Sequence, residues 1–273
     1  MSIEIEKSLP ELEAELAQYD GADQVISSYQ QQEHFLAHPS PAGEIKTDIH
    51  GIDVLIKGFN SGEVITISGR TGCGKTSITQ TLTYNFSVRQ IPCLWFTYEV
   101  QPRYFFNKFP DGDKFPLFYL PQELKESTLS WIEKRIIEAK VKFETKVVFI
   151  DHLHYLMPMT YQGNVSLMIG SIMRELKKIA IRHSLVIFII AHTEKIRAED
   201  TKPSLAWIRD SSFVVQESDD VIIINRQDFD EDEPICNQNN ESSLWILKNR
   251  REGLRGKVNL KYVDKLFIEV LPI

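Results

Sequence analysis

The sequence has few cysteines and lacks the features of a secreted or membrane-bound chain. Cys73, Cys93 and Cys236 lie far apart, without the paired spacing of a zinc site or a disulfide framework. No apolar run reaches the roughly 18 residues that a membrane-spanning helix needs. The first residues, Met1–Lys7, are acidic and polar, so we expect no signal peptide. We therefore expect a cytoplasmic protein that has no membrane partner.

An excess of positive charge is also missing. Lysine and arginine number 31 against 38 aspartates and glutamates, which gives a net charge of −7. Phosphate contacts depend on lysine and arginine, so this balance excludes a generally basic, charge-driven nucleic-acid binder. A narrow basic channel in an acidic body remains compatible with it. The 273 residues, 42% of them hydrophobic, suffice for one large α/β domain and a small appendage.

Residues 1–44 are predicted to form a helical arm and a linker ahead of a domain over residues 45–273. Ser8 and Glu11 have the spacing of a capping box, and a proline-containing stretch at 38–41 is typical of a linker. The apolar residues of the arm share one helical stripe: Leu9, Leu12, Leu16 and Tyr19. This helix either folds back on its own domain or docks on a neighbouring subunit, and the sequence leaves both open.

From residue 45 onward, short apolar runs alternate with helical stretches such as Thr128–Phe143 and Leu167–Arg182. Five runs predict strands buried on both faces: Val64–Ile67, Cys93–Thr97, Val147–Ile150, Val186–Ile190 and Val221–Ile224. This alternation indicates an α/β fold with a parallel sheet. Three later runs are separated only by short turns and should pair antiparallel at one edge: Leu244–Lys248, Lys257–Tyr262 and Leu266–Val270.

The strongest motif is a glycine-rich P-loop between a predicted strand and a predicted helix. It consists of Gly69, Arg70, Thr71, Gly72, Cys73, Gly74, Lys75 and Thr76, with Ser77 next. Glycines let backbone N–H groups curl around phosphate oxygens. We expect residues 69–77 to bind ATP, with Lys75 on the β- and γ-phosphates and the Thr76 hydroxyl on Mg²⁺. The strand and helix on either side argue against a chance glycine-rich turn.

Polar residues also follow three other predicted strands. Asp151 ends Val147–Ile150 and could hold Mg²⁺ at the edge where open α/β sheets bind ligands. Glu99 follows Cys93–Thr97 and could activate the attacking water, although an exposed loop glutamate would look the same. His192 could contact the γ-phosphate and signal its loss, or be a solvated histidine at a strand end.

Near the C-terminus, Lys248 and Arg250 share one side of an extended segment. They are either a solubilising pair at a sheet edge or an arginine finger that reaches a neighbouring subunit's ATP.

Together, these residues resemble the C-terminal ATPase domain of DnaB-type replicative helicases, from about Thr47 to the C-terminus. Further matching segments are Gly51-Ile52-Asp53, Tyr98-Glu99-Val100, Asp151-His152-Leu153 and Lys248-Asn249-Arg250. The resemblance implies a RecA-like P-loop NTPase core in a ring, expected to be a hexamer, that translocates on single-stranded DNA during replication. It also implies a primase or a helicase loader as a partner.

The resemblance assigns two further groups of residues. Lys248 and Arg250 would act in trans across the subunit interface. The loop after the fourth strand would face the ring axis and contact DNA through Lys195, Arg197 and Lys202, whose charge neighbouring acidic residues nearly cancel; a mobile surface loop is the alternative.

The chain departs from the family in three places. His192 stands where the family usually has glutamine, and the segment Pro102–Pro121, rich in Phe and Pro, does not resemble the usual helix. Residues 1–44 stand where the family has its primase-interacting domain, which we expect to be missing. A RecA- or RadA-type recombination or branch-migration ATPase and a KaiC-like regulatory ATPase remain alternatives, although the cysteines cannot form RadA's zinc finger.

Overall fold

The computed structural model describes residues 8–21, 24–37, 45–110, 115–158, 160–193, 202–208, 211–226 and 240–270. The chain divides into two compact units, Met1–Gly43 and Glu44–Ile273. In the described part, no helix has the length and apolar character needed to cross a membrane.

The smaller unit contains two helices, α1 (Leu9–Leu16) and α2 (Ser28–Ala37). The predicted capping box is present at α1, where the Ser8 backbone N–H donates to Glu11 Oε2 at 2.9 Å. The three stripe leucines of α1 are exposed, from 41% for Leu12 to 68% for Leu9, whereas Tyr19, also exposed, lies beyond the end of the helix and not on it as predicted. The predicted linker at 38–41 lies outside the described residues.

Helix α2 was not expected, because its polar, glutamine-rich sequence has no apolar stripe. A second capping box begins it. The Ser27 N–H donates to Gln30 Oε1 at 2.9 Å, and the Gln30 N–H donates to Ser27 Oγ at 3.2 Å. Glutamine serves as well as glutamate at this position of the box, so this end of the helix was readable from the sequence.

The larger unit is an α/β domain around one eight-stranded sheet. Its helices are α3 (His50–Ile56), α4 (Lys75–Val88), α5 (Pro102–Phe106), α6 (Leu129–Phe143), α7 (Val165–Arg182) and α8 (Ser211–Glu217). Its strands are β1 (Val64–Gly69), β2 (Cys93–Thr97), β3 (Val147–Asp151), β4 (Val186–His192), β5 (Asp220–Asn225), β6 (Glu241–Asn249), β7 (Gly256–Val263) and β8 (Leu266–Glu269).

The strand order is β2-β3-β4-β1-β5-β6-β7-β8. Neighbours from β2 through β5 pair in parallel, and the remaining neighbours pair antiparallel. The expected mainly parallel sheet with antiparallel C-terminal edge strands is confirmed. Alternate residues of the central strands enter two cores, one with α3 and α4 and one with α6 and α7, which explains why these strands are continuously apolar.

The phenylalanine-rich segment after β2 covers that edge of the sheet. Trp95 N–H donates to Tyr119 O, and Tyr119 N–H donates to Cys93 O, both at 2.8 Å. Its phenylalanines pack on one another, and the Phe105 ring lies 4.8 Å from the Trp95 ring between centroids. At the opposite edge, the Phe267 N–H of β8 donates to Thr81 Oγ1 of α4 at 3.0 Å.

Candidate nucleotide site

The carboxyl ends of the parallel strands bring four of the predicted positions to one edge of the sheet. Gly69 is in register with His192, and Thr97, two residues before Glu99, is in register with Asp151. Ligands of open α/β sheets bind at this edge, outside the strand ends.

The P-loop turns tightly between β1 and α4, and its glycines are required there. A Cβ atom on Gly69 would lie 2.4 Å from the Ile224 carbonyl oxygen. Gly74 has φ +96°, and a Cβ atom there would also meet the Phe267 ring at 3.0 Å. Helix α4 begins directly after Gly74, and the N-terminus of a helix is a ready anion site.

Lys75 lies folded into this turn. Its Nζ donates to the carbonyl oxygens of Gly69 at 3.0 Å and Arg70 at 3.1 Å. Burial lowers the pKa of Lys75, although the Glu99 carboxylate opposes that shift. The amine thus lies at the mouth of the loop, on carbonyl groups that a phosphate oxygen can replace.

Thr76 and Asp151 lie together and are the residues that could hold a metal ion. The Thr76 hydroxyl donates to Asp151 Oδ2 at 2.9 Å, and Asp151 is fully buried. Its Oδ1 accepts no hydrogen bond from any described residue. Burial, reinforced by Glu99, raises the pKa of Asp151 to about 6. A buried carboxylate oxygen beside a threonine hydroxyl fits the ligands that Mg²⁺ prefers.

Glu99 faces two histidines, one of which was not predicted as a site residue. Its Oε2 lies 3.7 Å from Nε2 of His192 and 3.9 Å from Nε2 of His152. The two imidazole rings pack edge to face with centroids 4.1 Å apart. His152 directly follows Asp151 at the end of β3, and that position was the signal available in the sequence.

A glutamate with two histidines is also a donor set that transition metals use, and these ligand atoms lie within 4.8 Å of one another. The His154 backbone N–H, however, donates to Nδ1 of His152 at 3.3 Å. The proton of the neutral His152 ring is then on Nε2, the atom that faces Glu99. In this arrangement the Nε2 proton of His152 faces the Glu99 carboxylate.

The other P-loop residues contribute in different ways. The Cys73 side chain is buried in the core, so only its backbone can face a phosphate. The Arg70 guanidinium lies 5.4 Å from the centroid of the Trp207 ring. Thr71 is exposed, and Ser77 is half-buried in the first turn of α4.

Lys248 and Arg250 lie at the other end of the sheet. Lys248 pairs with Val221 at the start of β5, about 13 Å along the strand from its carboxyl end at Asn225. Its Nζ donates to the carbonyl oxygens of Val215, Gln216 and Ser218 at 2.6, 3.3 and 2.6 Å. Arg250 also contacts the Gln216 carbonyl, so the two side chains share one side, away from this chain's own P-loop.

The predicted DNA loop is mostly outside the described residues, which include neither Lys195 nor Arg197. Lys202 is described and exposed, and its Nζ lies 5.9 Å from the centroid of the Trp245 ring. The segments on either side of the loop pair through an antiparallel bridge between Thr193 and Ile208. Thr193 directly follows His192, so the loop begins beside the nucleotide site.

Comparisons with known proteins agree with this geometry. The sequence profile described as "DnaB-like helicase C terminal domain" matches residues 117–268, more than half of the chain. A profile described as KaiC matches residues 45–111. The chain is 24% identical to "Replicative DNA helicase DnaB" of Treponema pallidum (strain Nichols) over 80% of its own length and 54% of that protein. It is 26% identical to the protein of the same name from Mycoplasma genitalium, over 77% of this chain and 53% of that protein.

Solved structures show the same fold. A structure described as an "ATPase Domain" superimposes with a TM-score of 0.72 at 17% identity, over 89% of this chain and 97% of that one. "The Structure Of A DnaB-Like Replicative Helicase And Its Interactions With Primase" gives 0.71 at 18% identity, over 96% of this chain and 71% of that one. The chain spans about half the length of the curated relatives it matches.

Proposed function

Because the chain belongs to the DnaB-like helicase C-terminal domain family, we propose that it is the ATP-hydrolysing motor of a replicative DNA helicase. One observation carries the proposal. The hydrogen-bonded pair of Thr76 and Asp151 lies at the same edge as the P-loop and Glu99, which is the arrangement that hydrolysis of a nucleoside triphosphate with Mg²⁺ requires.

The residues of the site bind different parts of the nucleotide and its metal ion. The P-loop N–H groups and Lys75 bind the phosphates, and Lys75 leaves the Gly69 and Arg70 carbonyls to do so. Thr76 and Asp151 hold Mg²⁺, which supplies charge neutralisation to the β- and γ-phosphate oxygens when bound. Thr71 and Ser77 complete the loop's lining.

Glu99 orients the attacking water and accepts its proton. The carboxylate is partly exposed, with 40% of its side chain accessible, so water reaches it. His192 stands between Glu99 and the loop that begins at Thr193, and we assign it the role of sensing the γ-phosphate. The imidazole contact with His152 supports this role because it fixes the orientation of the His192 ring.

A second subunit completes the site. Arg250 lies beyond the reach of its own P-loop, which supports a role in trans as an arginine finger. Lys248 belongs to the same motif, and in this chain its amine holds the C-terminal carbonyls of α8. We propose a ring, a hexamer, in which the exposed stripe of α1 docks on a neighbouring copy and so supports the same assembly.

Single-stranded DNA passes through such a ring, and we assign the contact to Lys195, Arg197 and Lys202. A primase or a helicase loader is the proposed protein partner, and the cytoplasm is the proposed compartment. The KaiC profile over residues 45–111 keeps a regulatory ATPase as the competing function. Strong stimulation of hydrolysis by single-stranded DNA would exclude that competitor, and absence of stimulation would favour it.

The chemistry is tested by Glu99→Gln, which keeps the shape of the side chain but cannot accept a proton. We expect nucleotide binding to persist and turnover to fall at least about 100-fold, within the range for a lost general base. Glu123→Gln is the matched control, because Glu123 is exposed in a loop and pairs only with Lys125 at 3.7 Å among the described residues. Substantial hydrolysis by Glu99→Gln would refute the assignment.

Assembly is tested by mixing subunits. Arg250→Ala should lose turnover while each subunit still binds nucleotide. Mixed with Glu99→Gln, it should regain part of the activity, since some interfaces then combine an intact glutamate with an intact arginine. No recovery between subunits that demonstrably exchange would argue against a trans role.

A further inference from the structure

Asp219 is a buried carboxylate just before β5, and both of its oxygens are used. Its side chain is 9% exposed. Oδ2 accepts the Val64 backbone N–H at 2.8 Å and Lys177 Nζ at 2.6 Å. Oδ1 accepts Arg250 Nη1 at 3.0 Å. A backbone hydrogen bond also joins Asp219 to β1, since the Asp219 N–H donates to Val64 O at 2.8 Å.

Arg250 is held by this carboxylate and still projects from the surface. Its backbone N–H donates to Asp219 O at 3.0 Å, and its Nη2 donates to Gln216 O at 2.5 Å. About half of its side chain, 48%, is exposed. A guanidinium has five N–H donors in a planar fork, so these two side-chain bonds leave other donors for a partner.

We propose that Asp219 is a positioning residue for Arg250, aiming the guanidinium at the neighbouring subunit's nucleotide. The inference rests on the proposed function of Arg250 as a finger in trans. A long arginine side chain otherwise samples many rotamers, and fixing one in advance removes that entropy cost from the transition state. Asp219 suits this task because Val64 fixes it to the start of β1 and Lys177 fixes it to α7.

Because the two oxygens of Asp219 have different partners, one substitution can remove the contact with Arg250 and keep the structural contacts. In Asp219→Asn, the amide oxygen can keep the bonds to Val64 and Lys177. The amide NH₂ then points at Arg250, where a donor meets a donor and the contact is lost. The reverse orientation would set the NH₂ against the Val64 N–H and the Lys177 ammonium, so the first orientation is favoured.

The experiment compares hydrolysis by assembled rings of Asp219→Asn with that of Asp220→Asn. Asp220 is the matched control because it is a buried carboxyl group one residue away, and no described contact joins it to Arg250. We expect Asp219→Asn to lower kcat by about 10- to 100-fold, as for a displaced catalytic group, with KM changed less than about twofold. Asp220→Asn should keep the wild-type kcat.

Combination with Arg250→Ala distinguishes positioning from a general defect. If Asp219 acts through the arginine, Asp219→Asn should not lower kcat further in an Arg250→Ala chain. In mixtures, Asp219→Asn subunits should complement Glu99→Gln and should fail to complement Arg250→Ala. A second drop in the double variant, or complementation of Arg250→Ala, would overturn the proposal.

Other outcomes are equally decisive. If folded Asp219→Asn has the wild-type kcat while Arg250→Ala is inactive, the positioning role of Asp219 is refuted and the finger role of Arg250 is not. Full activity of Arg250→Ala overturns the proposed finger itself. Raised turnover in Asp219→Asn would show that the carboxylate restrains the arginine, and would also refute positioning. If Asp219→Asn does not fold, Asp219→Glu displaces the charge by one methylene. It should lower kcat in chains that fold and assemble, and an unchanged kcat would count against the proposal.

Discussion

Asparagine at position 220 should make the chain more stable than the wild type at alkaline pH. Asp220 is only 3% exposed at the start of β5. Burial, together with repulsion from the Glu63 and Asp219 carboxylates, raises the pKa of Asp220 from 3.8 to about 7. Ionising Asp220 therefore costs free energy in the folded chain and not in the unfolded chain.

The sign follows from linkage. As far as Asp220 is concerned, the wild-type chain keeps its full stability below about pH 4, where Asp220 is mostly protonated in both states. It loses stability as the pH rises toward 7, because the pKa of Asp220 is higher in the folded chain than in the unfolded chain. Each pKa unit corresponds to 1.36 kcal/mol, so a shift of about 3 units gives about 4 kcal/mol as an upper limit. Asp220→Asn carries no charge at any pH, so its advantage should grow from near zero at pH 4 to a few kcal/mol at pH 8.

The assay is urea unfolding of the nucleotide-free chain at several pH values between 4.5 and 8. Asp264→Asn is the control, because it removes a carboxylate from an exposed turn, and it should show no comparable trend. An advantage of Asp220→Asn that is the same at every pH, or a loss of stability at pH 8, would refute the argument from ionisation.

Three other outcomes are expected. Lys75→Ala should abolish nucleotide binding, measured by calorimetry, because the side-chain cation at the mouth of the P-loop is lost. Lys248→Met should destabilise the isolated chain by about 2–4 kcal/mol in urea unfolding, since three carbonyl groups lose a charged donor; unchanged stability would mean that the amine does not cap α8. Binding of single-stranded DNA should ignore base sequence and weaken with salt. If Lys195→Ala/Arg197→Ala keeps both affinity and salt slope in a titration, the DNA contact lies elsewhere.

The sheet and the P-loop were predictable because each is specified locally. A strand buried on both faces must be apolar throughout, as Val186–Ile190 is, and such a run needs no knowledge of its neighbours. The P-loop likewise combines a glycine requirement with a lysine and a threonine at fixed spacing. The chain order of strands and helices then left a parallel sheet as the consistent arrangement, and the structure confirms it.

The contacts of Asp219 and His152 could not be predicted, because they depend on partners distant in sequence. Asp219 meets Val64 across 155 positions, and no local pattern marks a carboxylate whose two oxygens serve different partners. His152 was visible beside Asp151, but its function depends on the approach of His192 from β4. Helix α2 differs, because its sequence carries a glutamine capping box but lacks the apolar stripe that predicts a helix.

The chain itself covers part of each edge of the sheet, and this limits how copies can associate. Unpaired strand edges are the usual route to uncontrolled polymerisation, because any extended segment can pair with them. Here the Tyr119 segment hydrogen-bonds along β2, and β8 is only four residues long, with one outward N–H bonded to α4. Copies of this domain should therefore meet through side chains rather than by extending one another's sheets.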